Sequence, residues 1–168
     1  MKRTFVIAEA GINHNGDIDL AKKLIDTAVI AGCDAVKFQK RDIHEVYDPD
    51  TLAKTRESPW GDTYLQQKEG LEFSEEQFKY IDSYCKDSGI EWFVSCWDLN
   101  SQKFMRKFDL RYNKVASPML TVAPLLESIA SEGKYTFIST GMSTLEEIDT
   151  AVQIFNDAEW PFELTQGV

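Results

Sequence analysis

The chain has 168 residues, 43% of them hydrophobic, and a formal net charge of -10. That length supports one domain with a real core, the charge argues against a nucleic-acid surface, and no apolar run approaches the roughly 20 residues of a membrane helix. A strand begins almost at once, so no secretory signal is expected, and Cys33, Cys85 and Cys96, which show no CxxC or CxxH spacing, read as buried thiols of a cytoplasmic protein.

Phe5-Val6-Ile7-Ala8 is an apolar run that ends at a lone carboxylate, Glu9. A turn rich in Gly and Asn follows (Gly11, Asn13, Asn15, Gly16). Next comes an amphipathic segment with Leu20, Leu24, Ala28 and Ala31 at near-helical spacing, closed by Gly32. A second apolar run, Ala35-Val36-Phe38, carries Lys37 and Gln39. Strand, helix and strand with this crossover length predict a parallel pair. Residues 42–70 form a long polar insertion in which Pro49, Pro59 and Gly61 break any continuous helix. A short helix near Asp50 to Thr55 is expected there. A loop of this length is usually functional or mobile, and its Trp60 reads as a lid, an oligomer contact or a ring packed on the rim.

Ser74 and Gln77 then form a capping box, Phe73 and Phe78 can staple the helix start, and Gly89 closes the helix. Phe78, Ile81 and Cys85 make its inner face. Trp92 to Cys96 is a third buried strand, followed by a helix over Ser101 to Phe108. A fourth strand, Asn113 to Ser117, carries Lys114. The next helix turns Val122, Leu125, Leu126 and Ile129 inward and stops at Gly133. Thr136 to Ser139 is the fifth strand. Ser143 and Glu146 suggest a second capping box, before a helix with Ile148, Val152 and Phe155 as its core stripe. Phe162 to Leu164 begins a sixth strand.

Strands alternating with helices, with near-continuous apolar strands, define an α/β parallel architecture. The unit length suits a TIM-type (β/α)8 barrel, which typically takes about 250 residues. The expectation is therefore a single domain, 1–168, formed by a barrel truncated after five βα units and the start of a sixth strand. An open doubly wound sheet is the alternative, but the first turn, AGINHNG, lacks the GxGxxG phosphate fingerprint.

Strand ends are where parallel α/β proteins keep their chemistry. They supply Glu9, Lys37, Gln39, Ser95, Lys114, Ser117, Ser139 and Thr140. In a barrel these converge on one rim. Two lysines and several hydroxyls beside the Gly141 turn could cradle a phosphate or carboxylate, with Glu9 as base or charge stabiliser. His14 either contacts substrate or fixes its turn through side-chain hydrogen bonds. His44 reads as solvated, and two isolated histidines make no metal site. The acidic pairs Glu75-Glu76 and Glu146-Glu147 read as first-turn helix charges.

Taken together, AEAGINHNGD, DAVKFQK, SPWG followed by KEGLEFSEEQF, NKVAS and ISTGMSTLEEI resemble, in order and spacing, the sialic acid synthase family. The resemblance implies a (β/α)8 barrel followed by an antifreeze-like domain, the latter not expected within these 168 residues. It implies condensation of phosphoenolpyruvate with N-acetylmannosamine or a related sugar, and a divalent metal, manganese or magnesium. Glu9 then looks like the catalytic carboxylate, Lys37, Lys114, Ser117 and Ser139 like phosphoenolpyruvate ligands, and Gln39 like a sugar contact; Ser95 and His14 complete the substrate-binding candidates. Two departures stand out. The family often has Gly-Glu after the fourth-strand serine, where this chain has Pro118-Met119. Its sixth strand usually ends in His or Gln then Cys, where this chain reads Leu164-Thr165-Gln166-Gly167-Val168. The family's metal-binding histidines lie at and beyond that point, so no metal ligand is expected in this chain. Alternatives are a non-catalytic truncated barrel that binds an anion or assembles through its open edge, for instance as a homodimer, and a Schiff-base aldolase using Lys37 or Lys114.

Overall fold

The computed structural model describes residues 3–166. Gly167 and Val168, the last residues of the poorly matching C-terminal segment, lie outside the described residues. The chain divides into two compact units, with the boundary between Trp92 and Phe93.

The first unit opens with β1 (Ile7–Gly11), α1 (Ile18–Ile30) and β2 (Ala35–Lys40). β1 and β2 pair in parallel, with Ile7 opposite Ala35, Ala8 opposite Val36 and Glu9 opposite Lys37. The register slips after Glu9, so that Gly11 faces Phe38. Asp17 caps α1 by accepting from the Asp19 and Leu20 amides. The buried stripe of α1 is Ala21, Ile25 and Ala28. Of the four expected inward residues only Ala28 belongs to it, because the helix begins at Ile18 and its phase turns Leu24 partly and Ala31 fully outward.

The polar insertion is more ordered than its composition suggests. It holds α2 (Ile43–Val46), α3 (Pro49–Leu52), an antiparallel hairpin of β3 (Thr55–Ser58) with β4 (Gly61–Thr63), and α4 (Tyr64–Leu71). The helix expected at Asp50 to Thr55 is α3, one residue earlier, and Thr55 already belongs to β3. A Thr63–Gln66 capping box starts α4. α5 (Glu75–Ser88) forms as its sequence requires. Ser74 and Gln77 bond reciprocally, Phe73 meets Phe78 edge-on at 5.9 Å, and Gly89 ends the helix at φ 68°. Phe78, Ile81 and Cys85 are fully buried; Phe78 stacks on Trp92 at the start of β5 (Glu91–Cys96).

The second unit continues from Phe93 through α6 (Leu99–Met105), β6 (Tyr112–Val115), a 3-10 turn (Ser117–Met119), α7 (Ala123–Ala130), β7 (Tyr135–Ser139), α8 (Leu145–Asp157) and β8 (Phe162–Thr165). Ser95 of β5 pairs with Lys114 of β6, β6 with β7, and β7 with β8, all in parallel. Its core is Val115, Leu120, Leu125, Leu126, Ile129, Ala130, Ile138, Ala151 and Phe155. α6 starts earlier than expected because the Asp98 side chain accepts from the Ser101 amide and caps it. Val122 is not an inward residue of α7 but its exposed N-cap. The cap of α8 is Thr144 with Glu147, one residue beyond the expected Ser143–Glu146 pair. Six of the described strands thus pair in parallel, with helices between them, which establishes the α/β class.

Candidate functional site

In the first unit the chemistry gathers at the C-terminal ends of β1 and β2. Glu9 lies opposite Lys37 in register, and the Lys37 ammonium meets the Glu9 carboxylate at 2.8 Å. The Lys37 side chain is only 7% exposed, whereas that of Glu9 is 56% exposed. The cation is therefore held within the unit while the carboxylate stays open to solvent. Gln39, two residues beyond Lys37 in β2, shares its strand face. The floor of this corner is Gly11, at φ +53°. A Cβ there would come within 3.1 Å of Glu9 Oε1 and 3.4 Å of Gln39 Nε2, so glycine is what lets the two side chains share the space.

His14 is 2% exposed. Its Nδ1 accepts a hydrogen bond from the Gly16 amide at 3.1 Å, and its ring stacks on Phe73 at 3.9 Å. Burial, helped by the nearby Arg41 charge and only partly opposed by a hydrogen bond to the Gly11 backbone, lowers its pKa to about 4. At neutral pH it is an uncharged ring inside the turn.

Residues that sequence reasoning passed over surround this corner. Glu72 accepts from Arg41 Nε at 3.0 Å and from Lys40 Nζ at 3.1 Å, which ties the end of β2 to the segment between α4 and α5. Arg41 also donates to the Tyr47 hydroxyl. The Trp60 indole lies over Gly70, where any Cβ would fall within the ring. Gly16 in turn lies so close to the Gly70 carbonyl that a Cβ there would collide with it. A glycine inside an otherwise helix-forming stretch, YLQQKEGL, was the available signal for such a close approach.

In the second unit Lys114 donates to the Val115 carbonyl and to the Ser139 hydroxyl. Ser139 in turn contacts the Thr165 hydroxyl at 3.1 Å, matching the β7–β8 register that sets Ser139 opposite Thr165. Thr140 reaches the Thr165 carbonyl and the Gln166 amide oxygen. Thr165 was not foreseen; no periodic pattern precedes it in the short strand that carries it. Ser95 is buried, opposite Lys114 in register. Ser117 lies not in the strand but at the start of the 3-10 turn that continues through Pro118, half-buried, with its carbonyl accepting from the Leu120 amide. His44 is exposed.

Glu132 is a buried carboxylate that the sequence did not single out. Arg106, Gln102 and Asn113 donate to it and Lys134 pairs with it. Burial pushes its pKa up, but these donors outweigh burial and hold it below the usual carboxylate range. It joins α6, β6 and the end of α7, and touches none of the candidate residues. Among the described residues no group of three His, Cys, Asp or Glu side chains could hold a metal ion. Among the same residues no helix is long and apolar enough to cross a membrane.

Comparison with known proteins places these residues in context. A family model described as the NeuB family matches residues 24–164. Lys37, Gln39, Ser95, Lys114, Ser117 and Ser139 lie inside that range, and Glu9 and His14 before it. The chain is 37% identical over 152 residues to an N-acetylneuraminate-9-phosphate synthase of Mus musculus, covering 89% of this chain and 42% of that protein. It is 34% identical to an N,N'-diacetyllegionaminic acid synthase of Campylobacter jejuni, over 92% of this chain and 47% of that protein. The chain thus spans somewhat less than half the length of these curated relatives. Among solved structures it is similar to an N-acetylneuraminic acid synthetase from Leptospira borgpetersenii, with a TM-score of 0.86 and 28% identity over 98% of this chain and 54% of that one. A DAHP synthase from Thermotoga maritima, 12% identical with a TM-score of 0.66, shares the fold.

Proposed function

This chain belongs to the NeuB family, and from that premise we propose that it carries the phosphoenolpyruvate-binding part of a nonulosonate synthase. The reaction is condensation of phosphoenolpyruvate with an N-acetylated amino sugar, N-acetylmannosamine or a relative, to a sialic acid-type product. The observation that carries the reading is the register-matched pair of Glu9 and Lys37, a held cation beside an open carboxylate at adjacent strand ends.

The chemistry follows from the charges. Phosphoenolpyruvate brings a carboxylate and a phosphate, and ammonium groups held on rigid strands neutralise such anions without reorganising. Lys37 serves in the first unit, and Lys114 with Ser117, Ser139 and the buried Ser95 in the second. The enol carbon forms a bond to the aldehyde carbon of the open-chain sugar, and the aldehyde oxygen takes up a proton. Water then adds to the cationic C2, loses a proton, and phosphate departs as the ketone forms. In this reading Glu9, tied to Lys37 yet exposed, accepts the proton from that water. Gln39, beside it, supplies an amide to the sugar. No lysine adduct is needed, which sets this reading apart from a Schiff-base aldolase. The relatives' greater length bears on the partners: the sugar, the divalent metal and the completion of a barrel are assigned to the family's full length, and a homodimer remains the oligomer to test.

The test is calorimetric titration of the 168-residue chain with phosphoenolpyruvate beside the Lys37→Ala, Lys114→Ala double variant. Saturable binding that disappears in the variant supports the reading. A folded chain that binds nothing overturns it and favours a non-catalytic assembly module.

A further inference from the structure

Glu9 projects from β1 just before the register slips, and the segment that follows the strand, residues 12–16, is a turn. Its backbone is bound by short-range bonds, Asn13 N to Ala10 O, Asn15 N to Ile12 O and Asp17 N to His14 O. Gly11, Asn15 and Gly16 all have positive φ, at +53°, +47° and +68°. Glycine and asparagine are the residues that take up this backbone most readily. The His14 imidazole spans this turn from the inside. Its Nδ1 accepts the Gly16 amide proton, which leaves the ring proton on Nε2. Phe73 covers the ring face and Phe38 lies at its side, at 6.1 Å.

We propose that His14 is a positioning residue for Glu9: a buried imidazole, locked in one tautomer by the Gly16 amide and stacked on Phe73, that braces the turn after β1 and so keeps the Gly11 backbone out of the space that Glu9 and Gln39 share. A direct role on substrate is disfavoured by the geometry, since the ring is almost fully buried, stacked on Phe73, and its Nδ1 is taken by the Gly16 amide. The depressed pKa agrees with this placement, because a second ring proton would remove the acceptor that Gly16 uses. The proposal rests on the assignment of Glu9 and Lys37 as the working pair.

The test is nuclear magnetic resonance on the whole chain, first without ligand. In the wild type the ring nitrogens should report the Nε2–H tautomer at neutral pH, unmoved by saturating phosphoenolpyruvate. In His14→Ala the Glu9 carboxyl and Lys37 Nζ resonances should shift, and phosphoenolpyruvate affinity should fall at least tenfold. In His14→Asn, whose amide oxygen can still accept the Gly16 proton as in an Asx turn, both resonances should lie nearer the wild-type positions. A folded His14→Ala with wild-type Glu9 and Lys37 signals overturns the proposal. So do ring signals that move with ligand, which would make His14 a direct contact. Should neither variant fold, the wild-type spectrum decides: an Nδ1–H tautomer or a charged ring overturns it, and an Nε2–H ring blind to ligand supports it. A wild type that binds no phosphoenolpyruvate defeats the proposed function, while the ligand-free signals still judge the positioning role.

Discussion

Replacing His14 by Asn should change how stability depends on pH. An unfolded histidine titrates near 6.5, and folding lowers His14 to about 4. Between those values the unfolded chain binds a proton that the native chain refuses. The contribution of neutral His14 is therefore complete above pH 6.5 and is lost as pH falls toward 4. With about 1.4 kcal/mol per pH unit, the full loss is about 3 kcal/mol. Carboxylates also titrate in this window, so the useful quantity is the difference between wild type and His14→Asn, from which every other group cancels to first order. Urea unfolding followed by circular dichroism at half-unit steps from pH 7.5 to 4 gives that difference directly. The wild type should lose its advantage, or fall further behind, by about 3 kcal/mol across the range. Parallel curves would show that the ring is not held neutral by the fold.

Gly70→Ala sets two effects against each other. Helix propensity alone would favour alanine by about 1 kcal/mol. The new Cβ, however, would fall within the Trp60 indole, and overpacking of this kind costs about 1–3 kcal/mol. Thermal unfolding should show net destabilisation with altered Trp60 emission; a more stable variant would mean that the indole does not rest on Gly70. Glu132→Ala should cost about 3–5 kcal/mol in urea unfolding, the usual result of breaking a buried charge network from one side. It strands the Gln102 and Asn113 amides that donate to this carboxylate. A loss under 1 kcal/mol would show that solvent replaces it.

Where local physics decided the outcome, the residues announced it. Ser74, Gln77 and Gly89 delimit α5 because capping and a left-handed stop act within a few residues. Glu9 and Lys37 were legible as strand-end charges, and parallel pairing then set them side by side. Phase was harder to read. α1 buries Ala21 and Ile25 rather than Leu20 and Leu24, since both stripes are apolar and only docking chooses between them. The Ser143–Glu146 and Thr144–Glu147 pairs offer the same chemistry one residue apart, and the backbone selected the second. The Trp60–Gly70–Gly16 stack and the donors around Glu132 join residues remote in sequence, and no local pattern encodes such meetings.

The close approach of Gly16 to the Gly70 carbonyl bears on the order in which the chain is assembled. The strand that presents Glu9 is made from neighbouring residues, but its turn rests on a helix that comes much later in the chain. Contacts of such sequence separation carry a loop-closure cost that must be met before they contribute. The Glu9 corner therefore stays incomplete until α4 has been made, and a nascent chain that has not yet extended past α4 holds Glu9 on an unfinished turn.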